Sequence, residues 1–141
     1  MPLFGQLDVQ TIIEHLPQME DFDTESWDLP GAEQLYLAFE VDMSDADLIL
    51  PKAMHPALPR YVSLIASRFP ETPVGPFNLA QLRLMSRAGV HPRGYTLQAF
   101  TNQARATVAL RQRWGFPAET VDAIDIRTHH DRIFADRKSV V

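Results

Sequence analysis

The sequence predicts an α+β fold dominated by antiparallel sheet, and three observations predict it. Apolar residues repeat at period two over several short segments, clusters of proline separate those segments, and helical periodicity is confined to brief stretches. The length of 141 residues suits one domain able to bury a sizeable core.

Each element follows from its own residues. Asp8 is placed to cap a short helix whose apolar positions Val9, Ile12, Ile13 and Leu16 fall at i, i+3, i+4 and i+7, with Pro17 as a stop. Residues 18–33 have no period and read as an acidic arm, in which Phe22 and Trp27 are candidate anchors to a groove. In LYLAFEV (35–41), Leu35, Leu37, Phe39 and Val41 share one face of a strand. Ser44 with Asp47 three residues on resembles a capping box, opening a one- to two-turn helix that Pro51 ends. The connector PKAMHPALP leads to a strand, YVSLIASRF (61–69), and a proline-dense loop follows it. FNLAQLRLMSR (77–87) alternates less cleanly, and AGVHPRG (88–94) reads as a turn into YTLQAFT (95–101).

Asn102 is expected to cap a helix over 103–114, on which Thr107, Leu110 and Trp114 share a face. Gly115 stands where a left-handed residue ends a helix, and Arg111 and Arg113 suit the negative helix end. Two more strands are expected near 122–128 and 132–141, around the turn THHD. The chain thus divides into an acidic helix and arm (1–34) and a sheet portion (35–141).

Composition excludes several classes. No apolar run approaches the roughly 20 residues of a membrane-spanning helix, and MPLFGQLDVQ lacks the pattern of a secretory signal. Without cysteine there is neither a disulfide framework nor a thiolate site, so a cytoplasmic location is expected. Charge is strongly partitioned. Up to Leu50 there are twelve acids and no Lys or Arg, and from Pro51 onward thirteen bases face six acids, so the two parts carry −12 and +7. Either the acidic segment packs over the basic half, within the chain or across a homo-oligomer, or the bases build an anion pocket. Nucleic acid is a poor partner, because the arginines are dispersed and the acidic part repels phosphate. The chain has no G-x-S-x-G and no glycine-rich phosphate loop.

Two stretches carry a resemblance. FPETPVGPFNLAQL, followed some thirty residues later by a helix ending WGFP, resembles the acetoacetate decarboxylase-like superfamily, and LYLAFEVDMSDADLIL fits that group's early strand and helix. The similarity runs over roughly residues 33–127. It implies a cone-like, largely antiparallel β-barrel, here incomplete: members are nearer twice this length, so the chain is read as part of a barrel or as one completed by a partner chain. It also implies a pocket. In the decarboxylases the residue after the WGFP-type proline is the Schiff-base lysine, and a second lysine beside it lowers its pKa. The matching residues here are Ala118 and Glu119. The group's carboxylate falls at Leu79 and a pocket arginine near Ala32, while the only lysines, Lys52 and Lys138, stand in the proline-rich connector and four residues from the C-terminus. The usual imine mechanism therefore has no lysine to use.

The remaining candidates follow from spacing. If Leu79 faces the pocket, strand alternation sets Phe77, Gln81 and Arg83 on the same side. An inward Arg83 is suited to grip a carboxylate bidentately; the plainer reading is a surface arginine. Phe116, Ala118 and Glu119 either line the pocket or form a helix stop, and Glu119 is the candidate general base if buried. His129-His130-Asp131 invites a metal, but adjacent strand histidines point to opposite faces, so a hairpin turn is expected instead. His15, His55 and His91 lie close to prolines and carry no ligand spacing. No metal and no cofactor are expected.

The expectation is a protein that binds a small, anionic organic molecule of oxo-acid type, or converts it without an imine, with no nucleic-acid or membrane partner. Two alternatives stand beside it: a catalytically silent ligand-binding or structural homo-oligomer, and part of an active lyase whose lysine lies elsewhere. Whether the chain is an enzyme stays open at this stage.

Overall fold

The computed structural model describes residues 4–19, 25–42 and 45–138. Helix α1 (Val9–His15) begins as expected, with the Asp8 carboxylate accepting from the Gln10 N–H at 2.9 Å. Strand β1 (Glu33–Glu40) and the single-turn α2 (Ala46–Ile49) follow, then β2 (His55–Pro56), β3 (Tyr61–Phe69), β4 (Phe77–Ala88) and β5 (His91–Thr101). Helix α3 (Ala104–Trp114) leads to β6 (Ala118–Thr120), β7 (Ala123–His129) and β8 (Arg132–Lys138). No helix among the described residues is long and apolar enough to cross a membrane. Phe22 and Ser44 lie outside the described residues.

The main sheet has six strands in the order β1-β3-β4-β5-β6, with β2 pairing the far end of β4. All pairs are antiparallel except β5–β6, a parallel pair that α3 connects, as a parallel crossover requires. The sheet is open: it does not close into a barrel, and β1 and β6 form its edges among the described residues. The hairpin β7–β8 forms a separate two-stranded sheet, with His130 at φ 55° in its turn. The turn expected over THHD narrows to His130-Asp131, because Thr128 and His129 pair with Ile133 and Arg132, and no metal-holding cluster of His, Asp or Glu occurs among the described residues.

Two cores flank the sheet. On one face α3 packs Ala106 and Leu110 onto Phe77, Leu79, Ala99 and Ala118. On the other, Ala46 and Leu50 cover Val62 and Leu84, with Tyr95 and Leu97 packed alongside. Ala99 on one core and Leu97 on the other break simple alternation, and the cause is a bulge. Leu82 faces Gln98 but Arg83 faces Thr96, so β5 carries one extra residue at Leu97. Below that point Thr96 and Gly94, rather than Leu97 and Tyr95, share a face with Arg83.

Three differences from the sequence reading have local reasons. The N-cap of α3 is Gln103, not Asn102, because the Asn102 carboxamide oxygen accepts instead from the Asn78 N–H at 2.7 Å and ties β4 to the β5–α3 corner. The turn at 88–94 shrinks to Gly89-Val90, since pairing of β4 with β5 continues out to Ala88 and His91. Helix α2 starts at Ala46, with Asp45 at the cap position and no side-chain capping bond.

The charge partition has a structural counterpart. Lys52 pairs with Asp8 at 3.0 Å, Arg60 with Asp47 at 3.3 Å and Arg68 with Glu33 at 2.6 Å. Each pair joins an acid of the first fifty residues to a base beyond them, so three of the twelve acids pair with the basic part within the chain. Exposed pairs such as Lys52–Asp8 contribute little each, because water and salt screen them.

Candidate functional site

The α3 side of the sheet holds a cleft of about 220 Å³. Its floor is strand β4, whose odd-numbered residues Phe77, Leu79, Gln81 and Arg83 all line it. Ser67 on β3 and Gln34 on β1 extend the floor sideways, and the Gln34 amide donates to the Ser67 hydroxyl at 3.1 Å. Leu110, Trp114 and Phe116 form one wall. Trp27 and Leu29, from the acidic arm, form the other.

The end of α3 sets that first wall. Gly115 adopts φ 63°, ψ 23°, a left-handed conformation that glycine takes without a side-chain clash, and its N–H returns to the Arg111 carbonyl. The Phe116 N–H then bonds the Leu110 carbonyl, which turns the chain back toward the sheet. The arm is fastened by Arg113. Its guanidinium donates to the Glu25 carbonyl at 2.8 Å and lies 5.2 Å and 5.3 Å from the Trp27 and Trp114 rings. The two indoles meet edge to face, with centroids 4.9 Å apart.

Polarity changes along β4. Phe77 and Leu79 belong to the apolar cluster under α3, whereas the next two lining residues of the strand are Gln81 and Arg83. Gln81 is 3% exposed, while Arg83 is half-buried and its Nε is enclosed without a hydrogen-bond partner among the described residues. Burial pushes the guanidinium below its ordinary pKa, with the nearby Tyr36 phenol opposing the shift. It remains a cation, because arginine does not deprotonate in proteins. Among the described residues that line the cleft, Arg83 is the one charged side chain; no carboxylate, lysine or histidine joins it.

Of the candidate residues, the structure brings Phe77, Leu79, Gln81, Arg83 and Phe116 together around this cleft. Ala118 lies beneath it, 1% exposed, in the same cluster as Leu79 and Leu110. Glu119 is not brought to the cleft. It is the next residue on β6, so its side chain leaves the opposite face, where it is exposed. Ala32 is exposed just before β1. Neither lysine reaches the site: Lys52 is in a turn bonded to Asp8, and Lys138 ends β8. Sequence reasoning missed Gln34, Ser67 and Phe69; the spaced small polar residues Ser63 and Ser67 in an otherwise apolar strand were the available signal.

No protein-family model matches the chain, and no curated protein matches it in sequence. Solved structures do resemble it. The acetoacetate decarboxylase of Legionella pneumophila superposes with a TM-score of 0.74 at 20% identity, over 87% of this chain and 49% of its own. A second acetoacetate decarboxylase gives 0.71 at 12% identity, over 81% and 46%. An acetoacetate decarboxylase-like enzyme from Sphingomonas wittichii gives 0.52 at 18% identity, over 74% and 43%. The chain therefore spans about half the length of these proteins, and over that half its fold is the acetoacetate decarboxylase-like fold.

Proposed function

We propose that this chain binds a small oxo acid in the cleft, its carboxylate held by Arg83, and that no imine forms there. One observation carries the reading: among the described residues a single cation, half-buried and without an acidic partner, stands at the polar end of an otherwise neutral cleft. A half-buried guanidinium gains most from a ligand that supplies both a negative charge and two coplanar acceptors, which a carboxylate does. A structural neighbour, an enduracididine biosynthesis enzyme, was solved in complex with pyruvate, with a TM-score of 0.51. That supports an oxo acid as the first ligand to try.

The absence of imine chemistry rests on Ala118 and on the placement of the two lysines. Isothermal titration with pyruvate and acetoacetate, on the wild-type chain and on Arg83→Gln, tests binding. Saturable binding that falls at least about tenfold in the variant supports the reading. No heat from either acid refutes it. Borohydride treatment with pyruvate followed by intact-mass spectrometry tests the chemistry: a reduced adduct on either lysine would return the chain to the lyases.

A second reading has its own observation. Strand β1 is a sheet edge whose Leu37 and Phe39 are 46% and 50% exposed. An apolar edge of that kind favours association with another strand, so a ligand-binding homo-oligomer is compatible with the same cleft. Sedimentation at several concentrations separates the monomer from that assembly.

A further inference from the structure

Six polar side chains are buried among the described residues: Ser63, Ser67, Gln81, Ser86, Thr101 and Thr107. Five of them have partners. Ser63 meets the Met85 sulfur at 3.5 Å, Ser67 accepts from Gln34 at 3.1 Å, and Ser86 donates to the Arg93 carbonyl at 3.1 Å. Thr101 and Thr107 bond each other at 2.7 Å. Gln81 is the exception. It is 3% exposed, it lines the cleft, and its carboxamide makes no hydrogen bond to any described residue.

A buried amide left unpaired is costly, and an apolar side chain of similar volume would fill the same space without that cost. The sheet supplies no partner for it either, because the residues opposite Gln81 are Ile65 on β3 and Ala99 on β5. Arg83 follows two residues on, along the same lining row, and its enclosed Nε is likewise unpartnered among the described residues. Two neighbouring donors on one face of β4 thus lack acceptors from the protein.

We infer that Gln81 is the residue that recognises the oxo group: its amide N–H donates to the ligand's carbonyl oxygen while Arg83 holds the carboxylate. The inference rests on the oxo-acid reading above and adds the residue that distinguishes an oxo acid from a plain carboxylic acid. The reach suits a short ligand. Positions 81 and 83 stand about 7 Å apart along the strand. Two hydrogen bonds of about 2.9 Å, with roughly 3 Å between the oxygens of a small oxo acid, together span about 9 Å. An acid that lacks the oxo oxygen leaves the amide unpaired and binds about 10- to 100-fold more weakly.

Titration calorimetry with pyruvate and propionate, which differ only in the oxo group, tests this on the wild-type chain, Gln81→Met, Gln81→Leu and Arg83→Gln, with urea unfolding curves beside it. Methionine keeps the unbranched shape of glutamine and leucine its approximate volume, so an effect common to both is an effect of the amide. On the wild type, pyruvate is expected at least about tenfold ahead of propionate, and in both Gln81 variants the ratio falls to within about threefold of one. Arg83→Gln weakens both acids. Each Gln81 variant unfolds at a urea midpoint equal to or above that of the wild type, because it removes an unpaired buried amide. An unchanged ratio in the Gln81 variants overturns the assignment of Gln81 and leaves the oxo-acid reading standing. A lowered midpoint or a failure to fold in both variants shows that the amide has a structural partner, and overturns the assignment as well. Equal affinity for the two acids on the wild type overturns it together with the oxo part of that reading, and binding of neither acid overturns both in full.

Discussion

Gly94→Ala perturbs the site without replacing a residue that lines it. A methyl group at Gly94 would stand 2.9 Å from the Arg83 Cδ and 3.5 Å from both the Arg83 Cβ and the Met85 sulfur. The first of these contacts is shorter than carbon atoms tolerate, so the Arg83 stem must move by about half an ångström or change rotamer. The stability cost is small. Displacing a flexible side chain costs about 0.5–1.5 kcal/mol, and replacing glycine in ordinary strand backbone returns about 0.4–1 kcal/mol through the unfolded state. The net change is within about 1 kcal/mol. The guanidinium, at the far end of that stem, moves further. If one charge-assisted hydrogen bond to the ligand carboxylate is lost, at about 1.5–3 kcal/mol, affinity falls roughly 10- to 100-fold. Titration calorimetry with pyruvate, beside a urea unfolding curve, reads both quantities. Unchanged affinity would refute the argument that packing against Gly94 aims Arg83. A loss of stability above about 2 kcal/mol would show instead that backbone, not a flexible stem, fills the space.

Three further outcomes are expected. Thr107→Val keeps the shape of a side chain whose hydroxyl meets those of Thr101 at 2.7 Å and Thr120 at 2.8 Å, tying α3 to β5 and β6; unfolding in urea will show a loss of about 1–3 kcal/mol. Gly115→Ala forces a φ of 63° on an L-residue and brings a Cβ 3.3 Å from the Pro17 carbonyl oxygen, so the midpoint of unfolding falls by the equivalent of about 1 kcal/mol. For Asp8, the Gln10 N–H first and Lys52 second hold the carboxyl below its ordinary pKa. The stability that Asp8 supplies is therefore complete above the unfolded-state value near about 4 and is lost as pH falls through the lower folded value. Acid titrations of wild type and Asp8→Asn will converge at the acid end of that window, and the difference will shrink with added salt.

Legibility in the sequence followed periodicity closely. Strand β3 matches its apolar run residue for residue, α3 ends at the glycine that chemistry requires, and the parity of Leu79, Gln81 and Arg83 set all three on one face before any coordinates. Parity does not describe β5: Tyr95, Leu97 and Ala99 alternate in sequence, yet Ala99 lies in one core and Tyr95 and Leu97 in the other. The extra residue at Leu97 is dictated by pairing with β4 and by the core under α2, neither of which leaves a mark on β5 itself. The cap of α3 failed for a similar reason: a tertiary partner, the Asn78 N–H, outbid the local one for the Asn102 oxygen. Trp27 was legible as an anchor, since a lone indole in an acidic, aperiodic arm has little else to bury against. Its clamp by Arg113 was not, because those residues are brought together only by the fold.

The same geometry bears on what a cleft of this fold does without its lysine. A buried amine at position 118 would need a compensating environment, since desolvation of an unpaired ammonium is costly. Here Ala118 is 1% exposed and Leu79 6% exposed, and both belong to one packed apolar core. Among the described residues the one lining charge is Arg83, further along β4 and away from that core. On the proposed reading, an oxo acid anchored at Arg83 extends toward Leu79, where its carbonyl meets no lining nucleophile, carboxylic acid or histidine among the described residues. Its carboxylate stays paired with a guanidinium, and that pairing stabilises the ground state against loss of carbon dioxide, because the negative charge the cation holds must pass to the adjacent carbon as neutral carbon dioxide departs. An arginine so placed favours binding over decarboxylation.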